Sequence, residues 1–483
     1  MFIGLDLGTS GLRALLVGSD GAVRGLAEAH YGVSHPHDGW SEQDPADWIN
    51  ACKSVLAELA EARPKEMAAL QGVAFSGHMH GATVLDADGA VLRPCILWND
   101  TRSHVEAAAL DKADNVREIS GNIVFPGFTA PKLTWMARCE PDLFGQVAMV
   151  LLPKDYLVFW LTGQRVSEMS DAAGTSWLDT GARAWSDTTI KASGMRPDQM
   201  PALVEGNAVV GEIRADIAEI LGLPRGVQVV AGGADNAAAA CGVGTMGEGE
   251  AFVSLGTSGV MLAGRNRYAP APDSAVHTFC HAVPDRRYQM GVVLAAHDNL
   301  NWLAGITGQS PQTLTAALGE DIKTPGPLRF FPYLSGERTP HNDSVIRAGF
   351  AGVGAGSDAK SLTKAVMEGV CFALRDSYEA LKSTGVELAS ALAIGGGTRS
   401  TLWTKMLSTA LDLPLERPAQ GEFGAAMGAA RLAISGVTGG TPQDIMTKPK
   451  IAEKILPDAD LRLAFEDAYH SYKNGYSHLK ALQ

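Results

Sequence analysis

Residues 1–18 read MFIGLDLGTSGLRALLVG, and residues 251–264 read AFVSLGTSGVMLAG. Both stretches are apolar, break at Leu-Gly-Thr-Ser-Gly, and turn apolar again; the shared pentapeptide occupies residues 7–11 and 255–259. That pattern predicts strand, tight glycine turn, strand. A second pair of echoes follows. Val229-Val230-Ala231-Gly232-Gly233-Ala234-Asp235-Asn236 and Leu392-Ala393-Ile394-Gly395-Gly396-Gly397 are each an apolar strand running into glycines, with a helical stretch beyond. Such internal repetition predicts two related domains. Strands alternating with helices predict an α/β chain whose ligands gather at loops beyond the strand ends. The glycine-rich stretch GVGTMGEGE at residues 242–250 marks the boundary, giving domains at 1–245 and 246–483.

Helices are expected where caps and periodicity agree. Asp44 before Pro45 starts one that runs to about Glu61. Another is expected over residues 361–382. Near the C-terminus Leu461, Phe465, Tyr469, Tyr472, Tyr476 and Leu479 recur at helical spacing, a packing stripe.

Composition narrows the function classes. Of 483 residues, 46% are hydrophobic and 19% charged, a globular balance. The net charge of −13 disfavours nucleic acid as a partner. Six cysteines lie far apart with no CxxC pair, so they are expected to be buried apolar side chains in a reducing compartment. No basic leader precedes an apolar run, and no apolar stretch approaches the roughly 18–20 residues of a membrane helix. A cytoplasmic location away from membranes is therefore expected.

A phosphate needs converging backbone N–H groups, little steric obstruction and a hydroxyl or cation nearby. Both glycine turns offer these, through Gly8, Thr9 and Ser10 in one and Gly256 and Thr257 in the other. Asp6 leads the first turn. A carboxylate there would repel a nucleotide unless a cation stood between them, so Asp6 is expected to serve Mg2+. Arg13, on the following strand, could return its fork of donors to a phosphate. Taken alone, Asp235 between a glycine turn and an alanine-rich run reads equally well as a helix N-cap.

These residues resemble the FGGY family of carbohydrate kinases over essentially the whole chain. DLGTSGLR at residues 6–13 resembles the family's first phosphate loop. GFTAPKLTWM at residues 127–136 resembles its first signature, with Lys132 and Trp135 read as structural. GFAGV at residues 349–353 with AVMEG at residues 365–369 resembles its second. The resemblance implies two actin-like (ribonuclease-H-like) domains closing on a central cleft. It implies ATP and Mg2+ as cofactors, and catalytic roles for Asp235, as general base, and Asp6. His78-Met79-His80-Gly81, the stretch LWNDTR at residues 97–102 and the Gly232–Asn236 loop resemble members acting on D-xylulose. Met79, His80, Asn236 and Trp98 would then contact the sugar with Asp235. Asp100 or Arg102 would organise the Trp98 loop, and His78 would be structural. Thr257 would donate to a phosphate. Gly396 and Gly397 would admit the α-phosphate and adenosine, and His297 and Asn301 would line the nucleotide. The resemblance also implies a homodimer.

The chain departs from the family pattern in three places. His297 and Asn301 precede Trp302 where other members carry a glycine and, four residues on, a glutamine. Cys139 and Ser361 replace a polar and a charged or amide residue within the signatures. Two alternatives stand beside the D-xylulose reading. One is a family kinase for another ketose or polyol, such as ribulose or glycerol. The other is an actin-like ATPase, sugar sensor or filament protein, which would need no base such as Asp235.

Overall fold

The computed structural model describes residues 1–419 and 424–483. The first sheet contains β1 (Phe2–Leu7), β2 (Gly11–Val17), β3 (Val23–His30), β4 (Gly72–Gly77), β5 (Val209–Glu212) and β6 (Gln228–Ala234), in the order β5-β6-β4-β1-β2-β3. The second contains β7 (Ala251–Leu255), β8 (Gly259–Arg265), β9 (His277–Cys280), β10 (Arg287–Val293), β11 (Ala391–Ile394), β12 (Leu415–Pro418) and β13 (Ile451–Ile455), in the order β9-β10-β8-β7-β11-β12-β13. Both are built alike. An antiparallel hairpin, β1–β2 or β7–β8, has the LGTSG turn at its tip. Its first strand pairs in parallel with the next strand inward, β4 or β11. The internal echo of the sequence is thus a repeated hairpin.

The helices that matter to the site are α1 (Pro45–Ala62), α2 (Thr129–Cys139), α3 (Pro153–Thr162), α4 (Asp235–Val243), α5 (His297–Thr307), α6 (Ala359–Ser383), α7 (Thr401–Leu411), α8 (Ala425–Thr438) and α9 (Arg462–Ala481). Asp44 caps α1 by accepting from the Ala46 N–H at 2.9 Å. Asp358 and Ser361 form a reciprocal cap on α6. The aromatic stripe of α9 buries Phe465, Tyr469 and Tyr472, and the Tyr472 and Tyr333 hydroxyls meet at 2.8 Å.

The first sheet is covered on both faces, which is why β1 is apolar almost throughout. Ile3, Leu5 and Leu7 pack towards α1, while Phe2 packs against α8. So α8, late in the chain, returns to the first sheet and also lies along α4. The approach demands small residues. A β-carbon on Gly4 would stand 1.9 Å from the Ala426 carbonyl oxygen, and one on Gly428 would stand 1.7 Å from that of Ala238. The alanine-rich sequences of α4 and α8 are the means of bringing these helices together. Five cysteines are buried as expected; Cys139, at the end of α2, is exposed, because its signature position is the outer face of the last turn.

Candidate active site

Three parallel strand ends build the first half of the site. Leu7 of β1 lies opposite Gly77 of β4, and Gly77 lies opposite Ala234 of β6. The chain therefore leaves the sheet at one edge in three adjacent places. The first phosphate loop follows Leu7, His78-Met79-His80 follows Gly77, and Asp235-Asn236 follows Ala234. Strands lie about 4.8 Å apart, so the loop and Asp235 stand roughly 10 Å from one another across β4. In the second half Ser254 lies opposite Ile394, so the Gly256-Thr257-Ser258 turn and the Gly395-Gly396-Gly397 turn also leave side by side.

Asp235 is the first residue of α4, and Ala234 occupies the cap position. Its Oδ1 accepts from the Asn236 backbone N–H at 2.6 Å and from the Asn236 amide at 2.9 Å. No donor among the described residues reaches Oδ2. Burial, assisted by the charge of Asp6, pushes this carboxyl up to about 6, against the pull of the Asn236 donors. A carboxylate poised there is ionised at neutral pH yet basic enough to take a proton. Its support is buried: the Ala234 N–H donates to Glu168 Oε1 (3.1 Å) and Ser170 Oγ (3.0 Å). Glu168 lies beside the fully buried Lys154 of α3.

Asp6 sits on β1 between Arg13 and Ser76 in register. Burial raises its pKa, and the Ser76 hydroxyl and the Arg13 charge offset part of that rise. The described residues contain no cluster of three or more His, Cys, Asp or Glu side chains that could hold a metal by themselves. Mg2+ is commonly held by one or two carboxylates together with substrate phosphates. The donor set here, a desolvated Asp6 ahead of a phosphate loop, fits that mode.

In the same loop the Gly8 N–H bonds the Gly11 carbonyl at 2.9 Å, closing the turn, and Ser10 is exposed. Trp98, 38% exposed, donates its indole N–H to the Thr9 hydroxyl at 3.0 Å. Thr9 Oγ1 is thereby used as an acceptor, and its own proton stays available to a phosphate. Arg13 pairs through Nε with Glu28 at 2.5 Å, and both line a cavity of about 230 Å³ with Asp6, Gly8 and Ser10. Asp100 and Arg102 organise the Trp98 loop. Asp100 Oδ2 accepts from Ser41 N–H at 2.6 Å, and Arg102 lies 3.5 Å over the Trp40 ring.

His80 is held by four contacts that the sequence reading did not foresee. Its φ of 72° is a left-handed conformation that histidine adopts at a cost. Its carbonyl accepts from Lys132 Nζ at 2.8 Å and Thr129 Oγ1 at 3.1 Å. Lys132, a residue of the first signature, is fully buried and also donates to the Gly127 carbonyl at 2.7 Å. The ring stacks on Phe128 at 4.4 Å, and Nδ1 bonds the Gly174 carbonyl at 2.6 Å. With Nδ1 as donor, Nε2 carries the lone pair. Burial lowers the pKa to about 3 and keeps the ring neutral. Met79 is buried, its sulfur 4.0 Å from the Tyr288 hydroxyl. His78 is buried against Trp48, and neither of its ring nitrogens has a hydrogen-bond partner among the described residues.

In the second half the Ala296 N–H bonds the Thr257 carbonyl at 2.7 Å and the His297 N–H bonds the Gly256 carbonyl at 3.0 Å. The start of α5 is thus tied to the second phosphate loop, and the Thr257 side chain is exposed. His297 lies with its ring 6.0 Å from that of Trp403, and Asn301 is exposed one turn further along α5. The glycines after β11 divide their roles. Gly395 has a φ of 88°, a β-carbon on Gly397 would meet the Leu255 side chain at 2.6 Å, and one on Gly396 would meet nothing within 4 Å. Gly396 is therefore the position open to a ligand.

The two halves meet in aromatic side chains. His80, Phe125 and Phe128 face His277 and Phe279 of β9, with Phe125 and His277 centroids 5.3 Å apart. Asn122 and Thr278 exchange two hydrogen bonds of 2.9 Å across the same seam.

Two sheets on one plan, each with a glycine hairpin, and a carboxylate at the head of α4 fit a phosphotransferase of the actin-like fold. Residues 1–242 match the N-terminal domain, and residues 251–437 the C-terminal domain, of the FGGY family of carbohydrate kinases. The chain belongs to that family. It is 42% identical over 486 residues to the xylulose kinase of Escherichia coli strain K12, with 100% of both chains covered. It is 43% identical to the xylulose kinase of Klebsiella pneumoniae over 96% of both chains. A solved structure described as a xyloylose kinase from Brucella ovis superposes with a TM-score of 0.97 at 54% identity, covering 100% of this chain and 99% of that one. No described helix is long and apolar enough to cross a membrane.

Proposed function

We propose that the protein transfers the γ-phosphoryl group of ATP to the C5 hydroxyl of D-xylulose, releasing ADP and D-xylulose 5-phosphate, and that it does so in the cytoplasm as a homodimer. The observation that supports this reading is the convergence of three parallel strand ends on one edge, after which the first phosphate loop, the His78-Met79-His80 stretch and Asp235 each follow. Identity to xylulose kinases along the full chain supports the choice of sugar.

Phosphoryl transfer asks a protein mainly for position and charge stabilisation. Asp235 accepts the proton of the C5 hydroxyl through Oδ2 as the new bond forms. The remaining amide hydrogen and the oxygen of Asn236 hold neighbouring hydroxyls, and His80 Nε2 accepts from another; Met79 walls the pocket. Gly8, Thr9, Ser10 and Arg13 meet the phosphates from one side. Gly256 and Thr257 meet them from the other. Gly396, His297 and Asn301 border the adenosine, and Gly397 keeps its turn close against Leu255. Asp6 would hold Mg2+ together with the nucleotide, and the ion would supply charge neutralisation on the phosphates. Residues 1–245 thus carry the sugar and the base, and residues 246–483 the adenosine.

ADP release with Mg-ATP and D-xylulose, D-ribulose, L-xylulose, L-ribulose, glycerol, gluconate or no sugar tests the proposal. Release fastest with D-xylulose and negligible without sugar is expected. A different preferred acceptor would overturn the choice of sugar, and equal release without any acceptor would overturn the kinase reading. The mass of the protein in solution tests the dimer.

A further inference from the structure

We propose that Arg338 is a substrate-binding residue: its guanidinium, supplied by the second half of the chain, takes the C2 carbonyl and C1 hydroxyl oxygens of the sugar while Asp235 works at C5. The inference rests on the D-xylulose reading and adds to it the residue that recognises the ketone end.

Arg338 stands at the aromatic seam. Its guanidinium carbon lies 4.6 Å from the Phe125 ring centroid. Phe125 packs on Phe128, and Phe128 carries the stacked His80. The Arg338 charge is felt at both His80 and His277, lowering their pKa values. It therefore lies at the His80 end of the pocket, and the charge felt at Asp235 is that of Asp6. A five-carbon sugar with C5 at Asp235 and a middle hydroxyl on His80 brings its ketone towards Arg338.

Among the described residues none forms a hydrogen bond or ion pair with the Arg338 guanidinium, which is half-buried. Its neighbour Glu337 is felt at Arg338 by charge but hydrogen-bonds elsewhere: Glu337 Oε1 accepts the backbone N–H groups of Leu294 (3.1 Å) and Arg338 (2.8 Å). The guanidinium donors therefore face solvent at the pocket wall, and an arriving ligand can take them in exchange for water. The planar fork of an arginine suits two oxygens on adjacent carbons. His277 Nδ1, buried and also without a partner, marks the same wall as waiting for polar groups.

The backbone that carries Arg338 is rigid. Thr339 N–H donates to the Val292 carbonyl at 3.1 Å, and Val292 N–H donates to Thr339 Oγ1 at 3.0 Å. Thr339 Oγ1 donates in turn to the Ala275 carbonyl at 2.9 Å. Val292 and Val293 belong to β10, whose Val293 pairs with Gly259 at the end of the second phosphate loop. The residue that reads the ketone is thus stitched to the strands that bear the nucleotide loop. Sugar held between His80 and Arg338 bridges the two halves.

Steady-state kinetics of Arg338→Gln and Arg338→Lys with D-xylulose and with D-arabinitol, which lacks the carbonyl, test this. The expected result is a rise in KM for D-xylulose of roughly 10- to 100-fold for both variants, as befits a charged bidentate contact. KM for ATP should stay within about threefold, and the preference for D-xylulose over D-arabinitol should shrink by a similar factor. Calorimetric binding of D-xylulose without nucleotide should weaken in parallel, and unchanged melting temperatures should show that both variants fold. KM for D-xylulose within twofold of the parent, or an equal loss with both acceptors, would overturn the assignment. A parent enzyme indifferent to D-xylulose would instead overturn the reading on which it rests.

Discussion

Replacing Asp235 by Asn changes one atom at the head of α4 and leaves the shape of the site. The Asn236 N–H still finds an oxygen at the position of Oδ1, so the turn into α4 should survive. What disappears is the proton acceptor, and loss of a general base costs about 10²–10⁴-fold in rate. That is about 3–5 kcal/mol of transition-state stabilisation. The pH profile adds a sharper test. The carboxyl must be ionised to act, and it is raised from 3.8 to about 6. The parent kcat/KM should therefore rise with pH through about 6 and level off above it, and the variant should lose that limb. Stability should move the other way. A raised carboxylate pKa means that the fold bears a cost for the ionised form, absent below 3.8 and fully present above about 6. With solvent access discounted, Asp235→Asn should gain about 1–2 kcal/mol at pH 7.5 and none at pH 4. The assay is ADP release from pH 5 to 9, with thermal melts at the two pH values. Residual turnover above a tenth of the parent, or an unchanged acidic limb, would refute the assignment of Asp235 as base.

Asp6→Ala should lower turnover and raise the Mg2+ concentration needed for half-maximal rate, measured by titrating Mg2+ at fixed ATP; an unchanged titration would leave Asp6 only a turn-shaping role. Gly174→Ala would set a β-carbon 2.5 Å from His80 Nδ1 and 2.7 Å from Met79 Cε. It should raise KM for the sugar at least about tenfold with KM for ATP unchanged, the cost of displacing one oriented side chain. Gly428→Ala drives a β-carbon into the Ala238 carbonyl oxygen. It should destabilise the protein by about 1–3 kcal/mol, seen as a lower melting temperature, because α8 must lift off α4.

Much of the architecture was legible locally, for a physical reason. A glycine turn between apolar runs has few foldings, so both hairpins could be placed from composition and spacing alone. Helix starts were legible where a capping side chain acts within its own turn, as Asp44 does for α1. Phosphate loops belong to the same class, since their donors are backbone groups of consecutive residues. The helical run after Gly233 was equally visible, although Asp235 opens that helix from its first position and Ala234 caps it.

What depends on residues distant in sequence had no such signal. Lys132 looked structural in its motif, and only the fold shows that its ammonium clamps the carbonyl of His80, 52 positions away. Trp98 was expected to contact the sugar, and only the fold shows that its indole N–H also reaches the Thr9 hydroxyl, 89 positions away. The return of α8 onto the first sheet was hidden in an alanine-rich helix that resembles any buried helix. So was Arg338, whose loop carries no phosphate pattern and whose place beside Phe125 follows from the bonds of its neighbour Thr339 to Val292 and Ala275. Local chemistry therefore determined the elements and the kind of ligand they could hold. The register of β1, β4 and β6, and the packing of one half against the other, decided which side chains share a space. Those are long-range pairings, and one sequence records each partner without recording that they meet.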